Sequence, residues 1–211
     1  AAIKAKAEEK LNDKGRSNRK VFLGVSMVAL PLALINGAQY IMYNMECNFC
    51  ADYANTLGLD YLGVATLGGT VFGVLSIIVG FICDFMNPAL LIIISFIGQA
   101  VAPLVLANAD TQNLFNTGLL IYFFTRYYTM PLKILAMKKA PASEQGAVSG
   151  TILFGQDLFS IIATTLCGSL IDSIGYSGTF YGLAGLGAAL LAVFIVYNMR
   201  ESSKNRASRR A

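Results

Sequence analysis

The residues of this chain best placed to do chemistry are Arg126 and Asp157, the one basic and the one acidic residue deep inside long apolar stretches. Ionisable groups in such surroundings are costly and are normally paired or in contact with water. Arg126 precedes Leu135 by nine residues and Asp157 follows Ala147 by ten, so two antiparallel segments would hold them at similar depth. A cross-helix ion pair is the expected arrangement. It would serve either as a gating or proton-coupled pair, or as a lock between two helices, with an arginine reaching an interior carbonyl as the other structural option. Four amides, Asn36, Gln39, Gln99 and Gln156, are the other polar candidates within apolar runs. They would bind a polar solute, tie helices together, or hold a pigment magnesium through an oxygen donor, and helix-to-helix bonding is the expected use. Cys47-Asn48-Phe49-Cys50 offers a redox pair or local disulfide if it faces an oxidising compartment, and free thiols otherwise. With 0 His and one CxxC there is no zinc set, and an intramembrane aspartyl protease would need a second membrane aspartate. The reading is therefore of no catalytic residues and no metal.

The elements that must position these residues follow from composition. The 211 residues are 55% hydrophobic and 13% charged, with a mean hydropathy of +0.59. About a quarter of the residues of a soluble domain are charged, so this chain has too little charge to coat a surface in water. Six segments are long enough to cross about 30 Å of hydrocarbon as helices: Val21–Tyr43, Tyr61–Cys83, Pro88–Asn108, Leu114–Leu135, Ala147–Ile171 and Ser173–Met199. Each far exceeds a barrel strand, and a helix satisfies its own backbone in lipid. The expectation is an all-α, polytopic membrane protein with six transmembrane helices over residues 21–199, a basic N-terminal tail over 1–20 and a basic C-terminal tail over 200–211.

Orientation is read from the basic residues. Of the 16 Lys and Arg, all but Arg126 fall before Val21, between Lys133 and Lys139, or from Arg200 onward. The opposite connections carry Glu46, Asp52, Asp60, Asp110 and Asp172. Both termini are thus expected on the cytosolic, matrix or stromal side, next to anionic lipid rather than nucleic acid. The start at Ala1 fits a processed organellar precursor, a fragment or an incomplete terminus, and a plastid thylakoid or mitochondrial inner membrane is favoured.

Small residues suggest which helix faces meet. Gly150, Asp157 and Thr164 recur at intervals of seven and are expected to face inward, and Gly146 with Gly150, like Gly69 with Gly73, makes a pair suited to close helix contact. Tyr40, Tyr43, Tyr61, Tyr122, Tyr127, Tyr128 and Tyr197 lie near expected span ends, as an interfacial aromatic belt requires.

Three motifs carry a family resemblance. Gly80-Phe81-Ile82-Cys83-Asp84-Phe85-Met86-Asn87 is similar to a G-x-x-x-D-R/K-x-G loop, keeping Gly80 and Asp84 but with Phe85 at the basic position and Asn87 for the last glycine. Pro141 to Gly150 is similar to P-x-x-x-R-G-x-x-x-G, with Gln145 for the arginine and Gly146 and Gly150 retained. Gly168-Ser169-Leu170-Ile171-Asp172-Ser173-Ile174-Gly175 is similar to a G-x-L-x-D-x-x-G turn through Gly168, Asp172 and Gly175. Over about residues 20–200 the chain resembles one six-helix half of a major facilitator superfamily transporter, the C-terminal half more than the N-terminal one. The resemblance implies a half-bundle that would rock against a second half about a midplane site. The missing basic residues, sparse polar lining and basic tails favour a non-catalytic accessory or linker subunit of a larger thylakoid or inner-membrane complex. Its expected partners are membrane lipids and other integral-membrane subunits or a second copy, with chlorophyll and carotenoid as further ligands in a photosynthetic complex. The alternative is a half-size transporter working as a homodimer.

Overall fold

The computed structural model describes the backbone of residues 21–22 and 25–208 and the side chains of residues 25–203, so the expected tail over 1–20 lies outside the described residues. A short antiparallel hairpin, β1 (Val21–Phe22) and β2 (Val25–Ser26), precedes the helices. These are α1 (Leu30–Leu57), α2 (Leu62–Phe85), α3 (Pro88–Ala107), α4 (Gln112–Thr125), α5 (Thr129–Met137) and α6 (Gln145–Ser208). Single 3-10 turns at Arg126–Tyr128 and Ala142–Glu144 join α4 to α5 and lead into α6.

The first helix differs most from the expected span of Val21–Tyr43. It starts at Leu30 with Pro31 in its first turn, where a missing N–H costs nothing, and runs on to a left-handed Gly58 whose N–H closes onto Ala54 and Asn55. Charge at Glu46 had marked the span's end, but the helix continues because Glu46 is buried against partners. Cys47 and Cys50 therefore sit on a helix rather than in a loop, and both thiols are free. Asn87, which departs from the family glycine, caps α3 by accepting from the Ala89 N–H at 3.0 Å.

Helix α6 is too long to be one rod, since 64 residues at 1.5 Å each would reach about 96 Å, some three bilayer cores. It breaks at Gly175, where φ 73° and ψ 175° are open only to glycine. Contacts with α1 show the chain reversing there. Along the first limb, Ile152 meets Asn36, Thr164 meets Asn44 and Gly168 meets Phe49, so the limb runs parallel to α1. Along the second, Tyr176 and Phe180 meet Tyr53 and Gly187 meets Met42, so that limb runs antiparallel. The basic C-terminal region continues as helix to Ser208.

Two large apolar clusters, one at each end, and a small one of Val79, Cys83 and Leu91 hold the bundle together. Tyr53, Phe115, Leu119 and Phe180 centre one; Leu32, Phe96, Tyr128 and Phe194 centre the other. Tyr122 and Tyr128 are therefore core residues and not members of an aromatic belt. Outward faces are apolar, as lipid requires: Leu62, Ile77, Phe81 and Phe85 on α2 and Ile161 on α6 are all well exposed. Among the described residues, three helices are long and apolar enough to cross a membrane: Leu62–Phe85, Pro88–Ala107 and the stretch Ala142–Ser203 that contains the break. The chain is an integral membrane protein.

Close helix contact uses other glycines than the expected pairs. Gly146, Gly150, Gly69 and Gly73 face open space, and the expected inward row Gly150, Asp157 and Thr164 is exposed, although the Thr164 hydroxyl donates to Asn44 Oδ1. The tight crossing is instead Gly37 on α1 against Gly155 on α6, where an added Cβ at either position would strike the facing backbone. Gly155→Val is expected to cost about 1–3 kcal/mol through overpacking, while Gly150→Ala leaves stability unchanged, as measured by thermal unfolding in detergent.

Candidate functional site

A proline determines where the arginine stands. Pro131 lacks an N–H and its ring crowds the carbonyl four residues back, so an unbroken helix through Tyr127 is disfavoured. The chain responds with the 3-10 turn Arg126–Tyr128 between α4 and α5. Carbonyls at the end of α4 then need donors from outside. Helix α3 supplies them from one face: Gln99 Nε2 donates to the Tyr122 carbonyl and to Thr125 Oγ1, both at 3.1 Å, and Ser95 Oγ donates to the Thr125 carbonyl. Gly98, on the same face, lets Thr125 approach without a clash. On the other side of the break, Asn36 Oδ1 accepts from the Thr129 hydroxyl at 3.0 Å while its Nδ2 donates to the Ile152 carbonyl at 3.3 Å. Asn36 thereby clips α1, α5 and α6 together.

The guanidinium held by this break pairs with Glu46, not with Asp157. Arg126 Nη1 lies 3.6 Å from Glu46 Oε2, and their side chains are 20% and 6% exposed, whereas Asp157 faces outward. The expected Arg126–Asp157 pair fails because Asp157 lies on the outer face of α6, away from the interior that Arg126 enters. Glu46 also accepts from the Tyr61 hydroxyl at 2.9 Å and from the Cys47 thiol at 3.3 Å, so its carboxylate is well supplied with donors. Arg126 in turn lies 4.2 Å from the Tyr43 ring centroid and 4.4 Å from that of Phe72. Such cation–π contacts stabilise a cation away from water by about 0.5–2 kcal/mol each.

Beside this pair is a cavity of about 330 Å³ between α1, α2, α5 and the first limb of α6. Arg126 and Lys133 are its charged lining, Tyr40, Tyr43, Phe72 and Tyr127 its aromatic walls, and Ser76, Thr129 and Gln156 its neutral polar groups. Gln156 Oε1 is buried without a hydrogen-bond partner. Of the four amides that are candidates for a path or a ligand, Gln156 alone lines the cavity. Asn36 and Gln99 tie helices, and Gln39 is fully buried with its Nε2 on the Met42 sulfur at 3.5 Å. Cys50 belongs to the core and Cys47 to the Glu46 cluster, and of the two alternatives open to them both are free thiols.

The motif positions lie away from the cavity. Asp84 and Gly146 are exposed, Gly80 touches the Met130 side chain, and Gly168 packs near Phe49. Asp172 is exposed beside Gly175, the turning point of α6. Glu46 and Lys133 went unrecognised in the sequence: Glu46 passed for a loop acid and Lys133 for a span-end cation. A signal for Glu46 was available in its helical spacing from Tyr43, at i and i+3, which puts both on the side of α1 that meets Arg126.

Removing one member of a buried pair strands the other. Arg126→Gln is expected to destabilise the protein by about 3 kcal/mol and Asp157→Asn by less than about 0.5 kcal/mol, read from thermal unfolding in detergent. Equal effects would return Asp157 to the site.

A search of curated proteins finds no match to the chain. The profile of the Major Facilitator Superfamily matches residues 10–211. That match spans nearly the whole sequence, and it agrees with an all-helical membrane chain whose polar centre lies between helices. The chain belongs to the major facilitator superfamily.

Proposed function

We propose that this chain is a six-pass transporter half whose cavity beside Arg126 is one wall of a solute path. The observation that carries this reading is the cavity itself, in which Arg126, held from behind by Glu46, faces with Lys133 and neutral polar groups a space of about 330 Å³ instead of being packed shut. Purely structural ion pairs have no need of adjacent space. The cavity lies between α2 and the first limb of α6, which also carry much of the exposed apolar surface. A facing half, from a second copy of this chain or another six-helix unit, would close the path there, and rocking of one half on the other would open it to each side in turn. Helices α1, α2 and α3 and the two limbs of α6 make five passes, α4–α5 makes the sixth as one broken helix, and both termini face the cytosolic, matrix or stromal side. The accessory-subunit reading, in a thylakoid or inner-membrane assembly, accounts for the apolar outer faces but gives the cavity no role.

Reconstitution into proteoliposomes separates the two. Uptake of at least one member of a panel of labelled organic acids, amines and sugars is expected, with Arg126→Gln at least tenfold slower than Asp157→Asn. Absence of flux across the panel, together with extraction in fixed stoichiometry with another complex, would overturn the transport reading in favour of the accessory one.

A further inference from the structure

The cavity's charge balance identifies the class of molecule it takes. Two cations line it, Arg126 and Lys133, and no carboxylate does. Glu46 offsets Arg126 from behind, outside the lining, which leaves one positive charge without an internal partner. Among the described residues Lys133 has no ion pair or hydrogen bond, although it is only partly exposed and lies among apolar helices. Its neighbour Lys139 shows the contrast, bonding to Tyr197 and Glu201 at 2.8 and 3.3 Å. A half-buried cation left unpaired beside a cavity is free to meet a ligand there.

We infer that the cavity binds a small organic monoanion, a carboxylate on a flat apolar body, through Lys133 and the free edge of the Arg126 guanidinium. A single negative charge balances the residual positive one. Glu46 engages the guanidinium only at 3.6 Å, and the fork of five N–H donors therefore keeps donors for a second carboxylate. Tyr40, Tyr43, Phe72 and Tyr127 provide the surface for the apolar body, and the volume of about 330 Å³ is at the small end of ligand pockets. Gln156 borders the space that body would fill. This inference deepens the transport reading and rests on the same cavity, but binding is measurable without flux.

The test is calorimetric titration of the detergent-purified full chain with benzoate, with benzamide as the neutral isostere and phosphatidylglycerol micelles as a lipid-borne anion. Saturable benzoate binding with no benzamide response is expected, weakened about tenfold or more by Lys133→Gln and unchanged by Lys138→Gln, an exposed lysine outside the cavity. Because Lys133 has no structural partner, its replacement is expected to leave the unfolding temperature near that of the parent. Equal binding of benzamide, or no benzoate binding to a folded chain, overturns the anion assignment. So does a response to phosphatidylglycerol alone, which would give the two cations to a lipid headgroup. Flux of a neutral or cationic solute in vesicles would defeat this inference while sparing the transport reading; benzoate binding without any flux would do the reverse.

Discussion

The structure depends on one buried ion pair placed at a helix break. Charge inside a lipid-embedded bundle is stable only where partners replace its hydration, and Glu46 and Arg126 supply that for each other with Tyr61, Tyr43 and Phe72 around them. Satisfying this constraint draws in three parts of the chain. Helix α1 must run on beyond Tyr43 to carry Glu46, α2 must begin beside it to bring Tyr61, and the α4–α5 rod must break so that Arg126 points inward. The break is tolerable because Ser95 and Gln99 donate to the carbonyls at the end of α4.

The same arrangement links stability to function. The polar residues divide into a supporting set that bonds across helices and Lys133 on the cavity wall, which among the described residues has no ion pair or hydrogen bond. Ser95 and the Gln99 amide nitrogen bond the end of α4, and Asn36 ties the Thr129 hydroxyl to α6 on the other side of the break. Lys133 is left on the cavity wall, with Gln156 bordering the same space. Packing alone would have no use for that division, whereas a binding site needs rigid support behind a few uncommitted groups. Close approach of α1 to α6 through Gly37 and Gly155 holds the wall formed by Gln156 at its distance from Tyr40 and Tyr43.

Sequence made the class of the protein legible and the site only partly so. Low charge and long apolar runs are properties of composition, and they pointed to membrane helices without any knowledge of packing. The turn at Gly175 was legible for a similar local reason, since a motif glycine is needed for its backbone angles. Arg126 stood out because a lone cation in an apolar run is costly wherever it points. Its partner did not, because pairing depends on helix rotation and depth, which spacing within one segment does not reveal. Treating Glu46 as the end of a span was the decisive error: an acid ends a helix in lipid only if nothing neutralises it. Asp157 shows the opposite mistake, a polar residue in an apolar run assumed to face inward when its neighbours at i+4 and i−3, Ile161 and Phe154, are themselves exposed.

The account stands on the coupling between Glu46 and Arg126, and a double-mutant cycle measures it directly. Unfolding free energies in detergent would be compared for the parent, Glu46→Gln, Arg126→Gln and the double variant. The double variant is predicted to lose at least about 1 kcal/mol less than the sum of the two single losses, because the second substitution removes a charge the first has already stranded. Losses that add to within about 0.5 kcal/mol would contradict the pairing on which the break, the cavity and its charge all rest.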